Sequence, residues 1–157
     1  MTAQATVDRV TPDDDRFDDV VSLFEQYRVH YGESADEERA RAWLQATLSA
    51  GNLLAFLART SNASAIGLAL VAPCPASLAM REFWLVRDMY VVPGQRRQGI
   101  GRRLLDAVAT AARERGVIQL SLQTEEDNDG ALALYAEFGF RPVTGLRHLT
   151  FGLSARP

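Results

Sequence analysis

The sequence predicts an α/β domain in which helices cover both faces of a central mixed sheet. Three observations carry this. Candidate elements follow the order strand, two helices, three strands, helix, strand, helix, then one or two strands, a succession that packs as helices against a sheet. The stretch Ile100–Ala112 carries Ile100, Leu104, Val108 and Ala111, flanked by Leu105 and Ala112, as one broad apolar stripe. In Val117–Thr124, Ile118, Leu120 and Leu122 alternate with Gln119, Ser121 and Gln123, so one face is core and the other polar. At 157 residues the chain has the usual size of one domain, expected over 1–157, with no need of a metal or disulfides to hold its core.

Each element has its own signal. Thr11, Pro12 and Asp14 read as a helix start, and Phe17, Val20, Val21, Phe24 and Tyr27 continue at helical spacing to about Arg28. Ser34 with Glu37 opens a second helix, with Ala40, Trp43, Leu44, Thr47 and Leu48 on one face and Gly51 to close it. Between them lies YRVHYGES, rich in aromatic and polar groups, a segment suited either to loop packing or to a binding wall. Leu53–Arg59 and Ala65–Val71, separated by TSNAS, form a hairpin pattern. Phe83–Val92 is a further strand, ended by Pro93 and Gly94. Asn128–Phe138 is a helix closed by Gly139, and Arg141–Val143 and Leu149–Leu153 are expected as final strands.

Composition narrows the function. Apolar residues make up 47%, charged residues 24%, and no run is long enough to cross a bilayer as a helix. Met1–Arg9 lacks a basic segment followed by an apolar one, so a cytoplasmic protein with no membrane partner is expected. A net charge of −3 argues against a nucleic-acid partner. The single cysteine, Cys74, and two unpatterned histidines, His30 and His148, give no reason to expect a metal.

Positive charge is local instead. In QRRQGIG, Arg96 and Arg97 precede Gly99 and Gly101, and Arg102 and Arg103 follow. The stretch lies between a strand and a helix, where the first helical turn leaves N–H groups unpaired and glycine lets an anion reach the backbone. The expected ligand is a phosphate or pyrophosphate, with the arginines adding charge-assisted contacts. A P-loop would need Lys and Ser or Thr after Gly101, where Arg102 and Arg103 stand. A dinucleotide fingerprint would need a third glycine at Leu104.

A third design fits. Preceded by DMYVVP, the Arg96, Gly99 and Gly101 of RRQGIG resemble the donor-binding signature of the GNAT acetyltransferase superfamily. Downstream, Asn128, Ala131, Tyr135, Gly139 and Phe140 in NDGALALYAEFGF stand at the spacing of its second coenzyme A motif. The resemblance by motif covers Asp88–Phe140; before it, only the order of elements agrees. It implies a mixed, mostly antiparallel twisted sheet of six or seven strands with about four helices, and acetyl-CoA as cosubstrate. Carried over, it implies that backbone groups of Met89, Tyr90 and Val91 bind the pantetheine arm as an added strand would. The N–H groups of Arg97, Gln98, Gly99, Ile100, Gly101 and Arg102 would cradle the pyrophosphate, with Arg96 adding charge. Asn128 and Ala131 would lie along the arm, and Tyr135 near the sulfur.

The implied reaction is direct attack of an amine on the thioester. An amine of pKa about 10.4 is almost wholly protonated at neutral pH, so a base must take a proton, and the departing thiolate benefits from a donor. Tyr135 stands at the family's donor position, although alone it would read as a half-buried core aromatic on its helix. For the base, Asp88, Glu82 and His30 compete, with Asp88 on the strand flanking the acetyl group. Ser121 and Gln123 would line the acceptor groove, with Tyr27, His30 and Tyr31 as the other wall. Relatives of the spermidine type carry an acid at the position of Arg87. Arginine there argues against polyamines and for a small-molecule amine that also bears a carboxylate. Superfamily members are often homodimers. The competing readings are an acyl-CoA binding sensor without turnover, a nucleotide-binding regulatory domain, and an enzyme acting on a protein lysine or N-terminus.

Overall fold

A computed structural model describes residues 4–154. By its contacts the chain divides into two compact units, 1–125 and 126–157. The first holds five strands, β1 (Thr6–Val10), β2 (Leu54–Arg59), β3 (Ala65–Ala76), β4 (Arg81–Val91) and β5 (Leu120–Leu122), with helices α1 (Phe17–His30), α2 (Glu37–Ser49) and α3 (Ile100–Glu114). The second holds α4 (Asp129–Phe138).

The strands lie in the order β1-β2-β3-β4-β5. The first three pairings are antiparallel, and β4 with β5 is parallel, so the sheet is mixed as expected. Strand β2 and the first half of β3 are buried on both faces, which is why they read as unbroken apolar runs. Leu54, Phe56 and Ala58 face one layer, packed with Ile100, Leu104, Val108 and Ala112 of α3. Ala55 and Leu57 face the other, packed with Phe17, Val20, Val21 and Leu23 of α1 and Leu44 of α2. Strand β3 runs beyond its expected end through Pro73 and Pro75. Its ladder with β2 stops at Val71, so the prolines sit where only the β4 side is paired.

Other boundaries also move. Helix α1 begins at Phe17, later than Thr11–Pro12 suggested. Asp14 accepts from the Arg16 backbone N at 2.9 Å and from its guanidinium at 2.8 and 2.6 Å, and Asp14 N donates to Thr11 O, closing a turn there instead. Helix α2 is capped by Asp36, whose carboxylate accepts from Arg39 N at 3.1 Å, and not by Ser34. Strand β5 is shorter than Val117–Thr124.

The sheet has five strands among the described residues, not six or seven. Residues 141–143 and 149–153 form no ladder, and Val143, Leu149, Phe151 and Leu153 are exposed. Alternation in LTFGL shows which side chains would share a face, but a strand also needs a partner for its backbone groups.

One glycine sets the position of α3. At Gly67, near the start of β3, an added Cβ would lie 3.1 Å from Ile100 Cγ2, 3.2 Å from Leu104 Cδ1 and 3.3 Å from Tyr90 O. The missing side chain lets the first turn of α3 rest on the sheet. Gly67→Val should therefore cost about 1–3 kcal/mol of stability by overpacking, read by urea denaturation, and weaken acetyl-CoA binding in calorimetry by lifting the start of α3.

Candidate active site

Strand β4 carries an irregularity that organises the site. Leu70 pairs with Asp88 and Val71 with Val86, leaving Arg87 as an extra residue on β4, a β-bulge. Before it, Trp84 and Val86 face the α3 layer; after it, Met89 and Val91 do. Tyr90 instead joins the α1 layer, and Asp88, two residues back along the strand, shares its side. Without the extra residue, simple alternation would send Asp88 and Tyr90 into the same layer as Val86.

The other edge of β4 opens at the same point. Trp84–Val86 pair with Leu120–Leu122, and there the β4–β5 ladder ends, while β4 runs on to Val91. Met89, Tyr90 and Val91 thus lie past the end of β5, a stretch of edge suited to an extended ligand.

The chain then turns through Pro93–Gln95 into the glycine stretch. Arg97 adopts φ +61°, a left-handed conformation that costs a non-glycine residue energy, and Gly99 adopts φ +80° as the N-cap of α3. Asp36 and Asn128 cap α2 and α4 with their side chains, whereas Gly99 has none to offer. The first helical bond of α3 runs from Arg103 N to Gly99 O at 3.1 Å, so the N–H groups of Ile100, Gly101 and Arg102 precede the helical ladder. A Cβ on Gly99 would meet nothing within 4 Å. This end of α3 therefore presents donors and a positive dipole to open space, which fits a pyrophosphate.

The arginines divide their work. Arg96 donates from Nε to Val91 O at 2.9 Å, and its guanidinium lies 5.8 Å from the Tyr90 ring centre, tying the loop to β4. Arg102 faces Asp106 at 3.7 Å, one turn along α3. Arg103 donates to Ala5 O at 3.2 Å, holding α3 to the start of β1. Arg97 and Gln98 are exposed, and Gln98 Nε2 donates to Gly94 O at 3.3 Å.

On the α1 side, the residues expected as a wall come together. Tyr27 lies 4.9 Å from Tyr31 and 6.1 Å from Tyr90 between ring centres; His30 lies 5.3 Å from Tyr31 and 6.3 Å from Tyr90. Burial pushes the Asp88 pKa up from its usual value, while Tyr27 and the Arg87 guanidinium act against that rise. Tyr27 is raised by burial and by the Asp88 charge, and Tyr31 by burial and by Glu125. Arg87 itself is exposed, Ser121 is half-buried on β5, and Gln123 is exposed past its end. Glu82 takes a different part: it accepts from Arg115 at 2.9 and 3.3 Å, six residues from Asp88 along β4.

Sequence reasoning missed two contributors. Gly67 is one, although an isolated glycine in an apolar strand signals a close approach. Glu25 is the other: its carboxylate accepts from Arg28 and, at 2.6 Å, from Asp36 N, while Arg28 donates to Ser34 O at 3.2 Å. These bonds close the α1–α2 connection that carries Tyr31. An acid and a base three apart on a helix look like an ordinary surface pair, so nothing in the pattern marks them.

In the second unit, Asn128 Oδ1 accepts from Ala131 N at 3.3 Å, capping α4. Ala131 and Tyr135 are half-buried, and the Tyr135 ring packs 5.8 Å from that of Phe140. The Asn128 side-chain oxygen is thus engaged at the start of the helix.

Residues 17–140 match the Acetyltransferase (GNAT) family, and the chain belongs to it. It is 34% identical over 137 residues to the uncharacterized N-acetyltransferase YhfO of Bacillus subtilis (strain 168), covering 87% of this chain and 91% of that protein. A shorter stretch of 69 residues is 45% identical to the N-alpha-acetyltransferase RimI of Mycobacterium tuberculosis, covering 44% of this chain and 41% of that one. The crystal structure of a probable acetyltransferase superposes with a TM-score of 0.88 at 26% identity, over 96% of this chain and 99% of that one. An aminoglycoside acetyltransferase from an uncultured soil metagenomic sample shares the fold, with a TM-score of 0.81 at 20% identity over 96% and 97% of the two chains. The protein is an acetyl-CoA dependent N-acetyltransferase.

Gly99→Ala tests the donor end. The left-handed φ makes alanine there cost about 1–2 kcal/mol, and its Cβ would enter the space before the first-turn N–H groups. Acetyl-CoA affinity should fall at least about tenfold by calorimetry, beyond what the loss of stability explains.

Proposed function

We propose that the chain transfers the acetyl group of acetyl-CoA to the primary amine of a small molecule that also carries a carboxylate, such as an amino acid. The observation that carries this is the bulge at Arg87, which turns Asp88 towards the aromatic wall where β4 outruns β5. Bound acetyl-CoA supplies an activated acyl group. The chain's part is to hold it and to move protons. Backbone groups of Met89–Val91 hold the extended arm, and the donors from Arg97 to Arg102 hold the pyrophosphate.

Asp88 takes a proton from the acceptor amine, directly or through a water. Its raised pKa suits a base better than an ordinary surface aspartate would, because a stronger base accepts a proton more readily. Arg87 receives the acceptor's carboxylate. Tyr27, His30 and Tyr31 form one wall, and Ser121 and Gln123 the other. Tyr135, carried over from the family pattern, donates a proton to the departing thiolate. On this reading the two units serve one acetyltransferase domain, since the family match crosses residue 125. The RimI match supports a second reading, in which the acceptor is the N-terminal amine of a protein.

Incubation with acetyl-CoA and a panel of amino acids, polyamines, aminoglycosides, lysine peptides and N-terminal peptides, scored by thiol release, tests the acceptor. Amino acids should react and spermidine should not; spermidine turned over as fast as amino acids would overturn the Arg87 argument. Donor-induced stabilisation without thiol release on any amine would favour a binding module.

Asp88→Asn should lower kcat by about 10²- to 10⁴-fold and remove the acid limb of the kcat/KM profile. It should also raise Tm near neutral pH. An acid whose folded pKa lies above its unfolded one stabilises the fold when protonated and loses that contribution as pH rises through the folded value, so the ionised form works against folding. Tyr135→Phe should lower kcat with acetyl-CoA affinity retained.

A further inference from the structure

The aromatic wall includes one side chain that burial cannot hold. Tyr31 is 55% exposed, and every residue of the α1–α2 connection from Tyr31 to Asp36 is exposed as well. A segment without apolar anchors keeps one shape only if hydrogen bonds fix it. Here those bonds come from two side chains of α1. Glu25 accepts from Arg28 Nη1 with one carboxylate oxygen and from the Asp36 backbone N–H, at 2.6 Å, with the other. Arg28 Nη1 also donates to Ser34 O at 3.2 Å, and Arg28 O accepts from Glu33 N at 3.0 Å and from Tyr31 N at 3.1 Å.

This pair differs from an ordinary surface couple. The Glu25 and Arg28 side chains are only 12% and 23% exposed, so water and salt screen them little. Each also reaches a backbone group of the connection, and such charge-assisted bonds are the stronger kind. Asp36 is gripped at its N–H while its carboxylate caps α2, so one residue ties α2 to α1. Helix ends fray where the chain beyond them is free, and holding Glu33, Ser34 and Asp36 against α1 keeps its last turn closed. Glu25 further lines a groove shared with His30, Tyr90 and Pro93, which sets the clasp beside the wall.

We propose that Glu25 is a positioning residue for acceptor binding: its clasp on Arg28 and on the Asp36 amide keeps the end of α1 closed and so holds Tyr31 where the acceptor meets it. The inference rests on the reading of Tyr31 as part of the acceptor wall. Glu25 adds no chemical step; it sets how tightly the acceptor is held.

Glu25→Ala removes both bonds. The Asp36 amide should then exchange with solvent at least about tenfold faster than in wild type, read by NMR. The acceptor KM, measured with an acceptor the panel identifies, should rise about five- to twentyfold, with kcat and the acetyl-CoA Kd each within about twofold of wild type. Adding Glu25→Ala to Tyr31→Ala should raise the acceptor KM by less than about twofold more, because Glu25 acts through Tyr31. Glu25→Gln, which keeps the length of the side chain and weakens both bonds, is read in the same way should the alanine variant not fold. An Asp36 amide that exchanges as in wild type, an unchanged acceptor KM, or a full further rise in the Tyr31→Ala background overturns the proposal alone. Tyr31→Ala with the acceptor KM of wild type is a different failure, since it removes the wall reading and the proposal with it.

Discussion

A single unpaired residue in the β3–β4 ladder decides what the rest of the site can be. Arg87 has no partner on β3, and the extra residue reverses which layer each later side chain of β4 enters. The core tolerates this because Met89 and Val91 then fill the α3 layer while Tyr90 packs under α1. The result is an ionisable side chain and an aromatic ring turned together to the α1 side. The opposite edge of the strand comes free of β5 at the same point, after Val86. On the proposed reading, acceptor chemistry and donor binding use two sides of one strand.

The glycine stretch depends on the same strand. Arg96 reaches back to Val91 O and the Tyr90 ring, so the loop that presents the α3 donors is tied to the strand that presents Asp88. Gly67 complements this from β3, its missing side chain allowing Ile100 and Leu104 to seat the first turn of α3 against the sheet. Energy invested in left-handed backbone at Arg97 and in a half-buried carboxylate at Asp88 is offset by the two apolar layers around them.

Much of this was legible in the sequence, and the reason is periodicity. The stripe from Ile100 to Ala112 and the apolar runs of β2 and β3 encode burial directly, so helix, strand and layer follow from spacing alone. Gly99 marks the left-handed start of α3, which the sequence reads as a place for an anion. A bulge leaves no such trace: nothing in EFWLVRDMYV distinguishes ten paired residues from nine paired and one extra, and only the register against β3 does. Likewise Glu82 and Asp88 look alike as bases until Arg115, far along the chain, is seen to engage one of them. The α1–α2 connection depends on Glu25 reaching the Asp36 backbone, a bond between residues eleven apart that composition cannot announce. The C-terminal runs failed for the opposite reason, since their alternation implied strands for which the described structure provides no ladder.

The central claim is that the freed edge of β4 and the open start of α3 form one continuous donor cradle. Amide hydrogen exchange of the protein with and without acetyl-CoA tests it most directly. Protection should rise together at residues 89–91 and 97–102. Binding of acetyl-CoA that leaves both segments exchanging as in the free protein would contradict the claim.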